Sequence, residues 1–305
     1  MQPPISQLEP LVALERPPRL PPHCRSDARR TPEVARMMRL LRRKGLHSVC
    51  EAARCPNLPR CFARRTVTFM LLGEICTRAC RFCNVATGRP GRVDPEEPRR
   101  VAEAVATLEL AHVVVTSVNR DDLPDQGSGQ FVATIRAVQK RAPAATLEVL
   151  TPDFRGDPVC IDRVAAAGPD VYNHNVETVP RLYHSVRPGA VYRRSLGLLE
   201  RVKAQSPGLW TKSGLMLGLG ETRVEILQVL SDLRTAAVDV VTLGQYLRPT
   251  LRHLPVERYL EPAEFEDLGA EAESLGFAHV ASGPLVRSSF HADEAFGRLR
   301  IARGT

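Results

Sequence analysis

The feature that most constrains the fold is a regular alternation that begins near residue 66. Apolar, β-branched runs bounded by turns occur at 66–73, 112–118, 146–151, 170–176, 211–219, 238–245 and 277–282. Between most of them lie stretches with helical periodicity, at 98–110, 131–142, 159–167, 192–204, 223–236 and 262–275. Strands alternating with helices at this spacing imply βα units and a parallel sheet. Polar residues cluster just after strand ends, at 117–122, 173–177 and 218–221. That is the edge on which βα barrels carry their active sites. A doubly wound sheet with its site at a switch point would read similarly. The expected class is α/β, a partial (β/α) TIM-like barrel with an N-terminal extension.

Four segments are expected: an extended arm and short helix over 1–45, a cysteine-bearing loop over 46–65, the barrel over 66–292, and a tail over 293–305. The arm is rich in Pro and Arg, without periodicity. The short helix has Thr31 as N-cap, Pro32 at its first position and Glu33 in its first turn. Pro56 and Pro59 interrupt the cysteine segment, which reads as a ligand-bearing loop. Aromatic residues make up only 5% of the chain, so aliphatic side chains must fill the core. The formal net charge of +8 permits an acidic partner. No nucleic-acid motif or aromatic-interleaved basic run is present, so no nucleic-acid partner is expected. No run approaches the ~18 apolar residues of a membrane span, and Glu9 and Glu15 interrupt any secretory signal. A cytoplasmic protein without membrane attachment is the expectation.

The cysteines carry the chemistry. Of 8, six fall between Cys50 and Cys83, while Cys24 and Cys160 stand apart and are expected to be unliganded. In a reducing compartment such crowding reads as metal or cluster ligation. Cys76, Cys80 and Cys83 are spaced C-x3-C-x2-C directly after the first barrel strand. Three soft thiolates in one loop suit an iron–sulfur cluster, and with no fourth cysteine nearby one iron is left for a substrate. A three-cysteine zinc site is the alternative, though zinc usually pairs C-x2-C with a second pair or with histidines. Upstream, Cys50, Cys55 and Cys61 form a second triad spaced C-x4-C-x5-C. It argues for a second cluster; a structural zinc or an electron-relay cluster are its other readings.

The first triad, with Phe82 before its last cysteine, resembles the radical S-adenosylmethionine superfamily. The two triads in this order resemble the lipoyl synthase family. So do the stretches LHSVCEAARCPN (46–57), TSVNRDDLPD (116–125), YNHNVETV (172–179), TKSGLMLGLGET (211–222), GQYL (244–247), HLPV (253–256) and SGPLVRSSFHA (282–292). The resemblance spans most of the chain. It implies a reaction that inserts sulfur at C6 and C8 of an octanoyl chain on a carrier-domain lysine, with one S-adenosylmethionine per insertion. It implies two 4Fe–4S clusters. One, on Cys76, Cys80 and Cys83, would reduce S-adenosylmethionine to a 5′-deoxyadenosyl radical. The auxiliary one, on Cys50, Cys55, Cys61 and Ser289, would donate the sulfur. Implied partners are octanoylated lipoyl carrier domains, an electron donor such as ferredoxin or flavodoxin, and an iron–sulfur cluster carrier. The sequence departs from the family pattern at Phe290, where tyrosine is usual, at Phe62, where tryptophan is usual, and at Asn119, usually acidic. The segment 63–65 and the reduced basic stretch 16–19 also differ.

Other residues suit S-adenosylmethionine contacts. Asn173, Asn175 and Glu177 alternate at a strand end, so they are expected on one side. Ser117 and Arg120 follow another strand end. His174 should point the opposite way and pack. Arg287 precedes Ser289 and is a candidate to steady the auxiliary cluster or the substrate. Gly218-Leu219-Gly220-Glu221 lacks the third glycine of a dinucleotide loop.

Overall fold

The computed structural model describes residues 19–26, 31–53 and 55–289. Its strands are β1 (His47–Ser48), β2 (Thr68–Leu71), β3 (Ile75–Cys76), β4 (Ala86–Thr87), β5 (His112–Ser117), β6 (Thr146–Leu150), β7 (Val171–Asn173), β8 (Trp210–Leu217), β9 (Val240–Gln245) and β10 (His279–Gly283). Eight form one sheet, ordered β1-β2-β5-β6-β7-β8-β9-β10, while β3 and β4 pair separately. Strand β1 runs antiparallel to β2, and every pairing from β2 to β10 is parallel.

This order settles the architecture. A doubly wound sheet reverses strand order at its switch point; here spatial order follows chain order throughout. Winding in one direction curls the sheet into a barrel, and β10 pairs only with β9, so among the described residues the barrel stays open. Helices Glu97–Leu108, Ser128–Arg141, Pro158–Ala166, Tyr192–Gln205, Arg223–Thr235 and Pro262–Ser274 make the crossovers. Their starts obey local chemistry. Asp157 caps one through Val159 N at 2.9 Å. Thr222 and Glu225 form a reciprocal capping box on another. Strands β2 and β9 are buried at every position, as expected for parallel strands covered on both faces.

The N-terminal extension lies against the β2 edge. Helix Pro32–Arg43 starts where expected, with the Thr31 hydroxyl accepting from Val34 N at 3.4 Å. The segment from Cys50 to Cys61, expected as a loop, instead contains two short helices, Val49–Ala52 and Leu58–Ala63. Pro59 reads as a breaker but stands in the first turn of the second helix, where no backbone donor is needed. The Ser48 hydroxyl caps the first helix through Glu51 N at 3.3 Å. Phe62 is fully buried there and fills the core. Among the described residues no helix is long and apolar enough to cross a membrane.

A buried polar network ties four strands together. Glu148 of β6 meets Lys212 Nζ of β8 at 3.0 Å and accepts from Asn173 Nδ2 of β7 at 2.7 Å. His112 Nε2 of β5 stands 3.7 Å away. Burial by itself would raise the Glu148 carboxyl. Lys212, His112 and Asn173 outweigh it and hold the group well below the usual range, at about 2. A carboxyl depressed in the folded state adds stability that is complete above its unfolded value, about 4.3. That stability is lost as pH falls toward the folded value. Unfolding free energy measured in urea should therefore fall more steeply between pH 4.5 and 2.5 (about two units) in the unsubstituted chain than in Glu148→Gln. Parallel pH profiles would contradict this role.

Candidate active site

The two cysteine triads lie at opposite ends of β2, the first after its C-terminal end and the second by Thr66 and Thr68 at its start, and each is shaped by a different part of the chain. Cys76 ends β3, and Cys80 and Cys83 follow in the turn toward β4. The three thiols stand within electrostatic range of one another. Burial pushes the Cys83 thiol up to about 12 and also raises Cys80, against which Arg187 acts. Backbone amides of Asn119 and Arg78 donate to Cys76 Sγ at 3.3 and 3.4 Å. Such bonds favour a thiolate and tune a cluster.

The loop is clasped from several sides. Arg78 donates a bidentate pair to Asp121 at 2.8 Å each, and its Nη2 lies 2.7 Å from Asp153 Oδ1. Burial would raise the Asp153 carboxyl, but Arg78 outweighs it and holds the group well below the ordinary aspartate range. Asp121 and Asp153 follow β5 and β6, so the loop's own arginine is pinned to two adjacent strand ends. The Thr77 hydroxyl donates to Asp121 Oδ2 at 3.0 Å. On the far side His253 Nε2 lies 3.0 Å from the Cys83 carbonyl oxygen, and Thr250 Oγ1 lies 2.9 Å from its Nδ1. Sequence gives Arg78 and Asp153 no role of their own, beyond a basic residue inside the triad and acids after two strand ends, whereas His253 opens the HLPV stretch that carries the family resemblance.

Cys50, Cys55, Cys61 and Ser289 line one small cavity together with Asn57, Thr66, Thr68 and Arg287. The serine reaches it from the far end of the described chain. Burial, then the neighbouring Cys55, pushes the Cys50 thiol up to about 12. A thiol held that high ionises only when a cation takes the proton's place, and soft thiolates select iron–sulfur clusters among such cations. The donor set therefore fits a cluster chemically. Arg287, half-buried and within electrostatic range of Cys55, adds a positive charge beside an anionic group. Among the described residues, no three His, Cys, Asp or Glu side chains converge closely enough to grip a single metal ion. A four-iron cluster asks for something different, one thiolate at each of three separated corners.

The expected S-adenosylmethionine contacts divide. Asn175 Nδ2 donates to Glu177 Oε1 at 3.1 Å, and burial pushes the Glu177 carboxyl up, with Arg187 opposing. Arg187 donates to the carbonyls of Asn175 and Val176 at 2.9 and 3.1 Å, fixing this turn from beneath. Asn173 Nδ2 is committed to the Glu148 network, while its buried Oδ1 has no partner among the described residues. Period-two alternation holds only within a strand, and β7 ends at Asn173, after which Glu177 takes a left-handed φ of 66°. Among the described residues the buried Ser117 hydroxyl at the end of β5 has no partner, and neither has Arg120 Nη1. The other Arg120 nitrogens donate to Asp122 at 2.9 Å and to the Gly91 carbonyl at 3.0 Å. His174 packs as expected, between Thr151 O at 2.9 Å and Ser195 Oγ at 3.0 Å, with its pKa lowered to about 4 by burial. Cys160 is buried on helix Pro158–Ala166, and Cys24 is buried on a single short turn. In the 218–221 loop, Glu221 accepts from Gly218 N and from Leu219 N, so the loop satisfies its own amides. Phe290 lies outside the described residues.

The sequence pattern of the Radical SAM superfamily matches residues 70–233. The chain is 60% identical over 263 residues to a lipoyl synthase of Methylococcus capsulatus, covering 86% of this chain and 82% of that one. It is 54% identical over 290 residues to lipoyl synthase 2 of Thermosynechococcus vestitus, covering 93% and 99%. Among solved structures, methylornithine synthase superposes with a TM-score of 0.52 at 15% identity, over 89% of this chain and 93% of that one. That likeness concerns the fold alone. The two thiol clusters and the sequence identity along most of the chain converge: this chain belongs to the lipoyl synthase family of the radical S-adenosylmethionine superfamily.

Proposed function

We propose that this chain inserts two sulfur atoms, at C6 and C8, into an octanoyl group carried on a lysine of a lipoyl domain. The observation that carries the reading is the single cavity lined by Cys50, Cys55, Cys61 and Ser289. A second set of thiols closed by a serine suits a cluster that is a reactant rather than a relay. Two four-iron clusters and S-adenosylmethionine, when bound, supply the radical that opens an aliphatic C–H bond and the sulfur that takes the hydrogen's place.

The chain's own residues do the holding. Cys76, Cys80 and Cys83 would take three corners of one cluster, with Arg78, Asp121 and Asp153 fixing the loop between them. Asn175 and Glu177 are the polar pair for the ribose of S-adenosylmethionine, and Ser117 offers a free buried hydroxyl at a neighbouring strand end. Asn173 and Arg120 brace the strand ends behind that pocket. Cys50, Cys55, Cys61 and Ser289 would take all four irons of the auxiliary cluster. Its hard serine oxygen is a poor match for cluster iron and marks the corner that opens first. The net charge of +8 suits an acidic ferredoxin or flavodoxin as electron donor, and a cluster carrier must rebuild what each turnover consumes.

Anaerobic incubation with reductant, S-adenosylmethionine and an octanoyl-lysine peptide tests this. Thiolated peptide is expected alongside 5′-deoxyadenosine. Deoxyadenosine without thiolated peptide would defeat the sulfur-insertion reading and leave only the radical one.

A further inference from the structure

The strap that carries Ser289 is bound at several points, and one of them lies in the S-adenosylmethionine pocket. Near the auxiliary cavity, Asn57 Nδ2 donates to the Leu285 carbonyl at 2.6 Å. Further along, Ser288 Oγ donates to Asn175 Oδ1 at 2.9 Å. Asn175 is thus held at both ends, with Ser288 on its oxygen and Glu177 on its nitrogen. That pairing fixes which way the amide faces, since a flipped amide would set its oxygen against the Glu177 carboxylate.

Two glycines make room for the strap. A Cβ at Gly244 would stand 2.1 Å from the Val286 carbonyl oxygen. A Cβ at Gly214 would stand 2.5 Å from Thr242 Oγ1, 3.0 Å from Asn175 Oδ1 and 3.2 Å from Ser288 Oγ. Both positions lie inside strands, where glycine costs stability and commonly marks a close backbone approach. Here the strap is what approaches. Ser288 and Ser289 are adjacent, so whatever fixes one limits the other.

We infer that Ser288 is a positioning residue that ties the S-adenosylmethionine pocket to the serine corner of the auxiliary cluster. The inference rests on the ligand and pocket assignments proposed above. Ser288 orients Asn175 toward Glu177 and, through the same bond, keeps Ser289 at the auxiliary cavity. Linkage is reciprocal: a contact that steadies the cofactor pocket and the serine corner together favours occupancy of both.

Two measurements on Ser288→Ala and Ser288→Thr test this. The first is made in a Cys76→Ala, Cys80→Ala, Cys83→Ala background, where the auxiliary cluster alone is present. Iron release to a ferrous chelator under argon should be about fivefold faster in Ser288→Ala, the worth of one ordinary hydrogen bond. The second is equilibrium binding of labelled S-adenosylmethionine to the two-cluster chain, which should weaken about fivefold in the same variant. Ser288→Thr keeps the hydroxyl that Asn175 accepts from, so it should restore both values. A Ser288→Ala chain that matches the unsubstituted protein in either measurement overturns the tie. A background chain that holds no four-iron cluster overturns the auxiliary ligand assignment, and the inference with it.

Discussion

Replacing Cys76, Cys80 and Cys83 together with alanine is expected to abolish 5′-deoxyadenosine release while about four of some eight irons per chain remain bound. The loss should exceed a thousandfold, because no side chain can substitute for a one-electron donor in opening an unactivated C–H bond (each tenfold in rate being about 1.4 kcal/mol). The retained iron is the more searching half of the result. The two triads share no ligand: Cys76, Cys80 and Cys83 lie on the β3–β4 turn, held by Arg78 and His253. Cys50 and Cys61 lie on the short helices against β2, with Ser289 closing the cavity. Each site should therefore load without the other. Iron and sulfide analysis of the anaerobically reconstituted variant checks this. Loss of all iron would mean that the two sites assemble as one unit, contrary to this geometry.

Ser289→Ala should separate the two halves of the reaction. Deoxyadenosine release is expected to stay within about threefold of the unsubstituted chain, while thiolated peptide falls by a hundredfold or more (about 3 kcal/mol). The serine lines the auxiliary cavity, while the clasp of the radical loop runs through Arg78, Asp121, Asp153 and His253, so the substitution leaves that clasp in place. Without the alkoxide the cluster loses its fourth protein ligand, and the iron there is freed or lost before the substrate can use the adjacent sulfide. Liquid chromatography with mass spectrometry quantifies both products from one reaction. Equal loss of both would contradict the division of labour between the triads.

Much of this architecture was legible in the sequence because its causes are local. Strands announced themselves through β-branched runs such as Val113, Val114 and Val115, all fully buried in β5. Helices announced themselves through caps such as Thr222 with Glu225 and Asp157 ahead of Pro158. The thiol motifs were legible for the same reason, since a loop can wrap a cluster only with ligands at short spacing. What escaped depends on contacts between distant segments. Arg78 finds Asp153 only because β2 and β6 are brought near each other around the sheet. Asn175 and Ser288 are 113 residues apart and leave no periodic trace. Asn175 and Glu177 lie past Asn173, the last residue of β7, where strand alternation no longer fixes which side a residue takes. The segment from Cys50 to Cys61 was read as a loop because a proline in a first helical turn looks, in sequence, like a proline that breaks a helix.

The account turns on the sulfides of the auxiliary cluster, held by Cys50, Cys55, Cys61 and Ser289, as the source of the inserted atoms, and an isotope decides it. A chain reconstituted with ³⁴S sulfide, freed of excess sulfide and allowed a single turnover on unlabelled octanoyl-lysine peptide should yield product carrying the heavy isotope at both inserted positions. Product with sulfur of natural abundance would contradict the role given to Cys50, Cys55, Cys61 and Ser289.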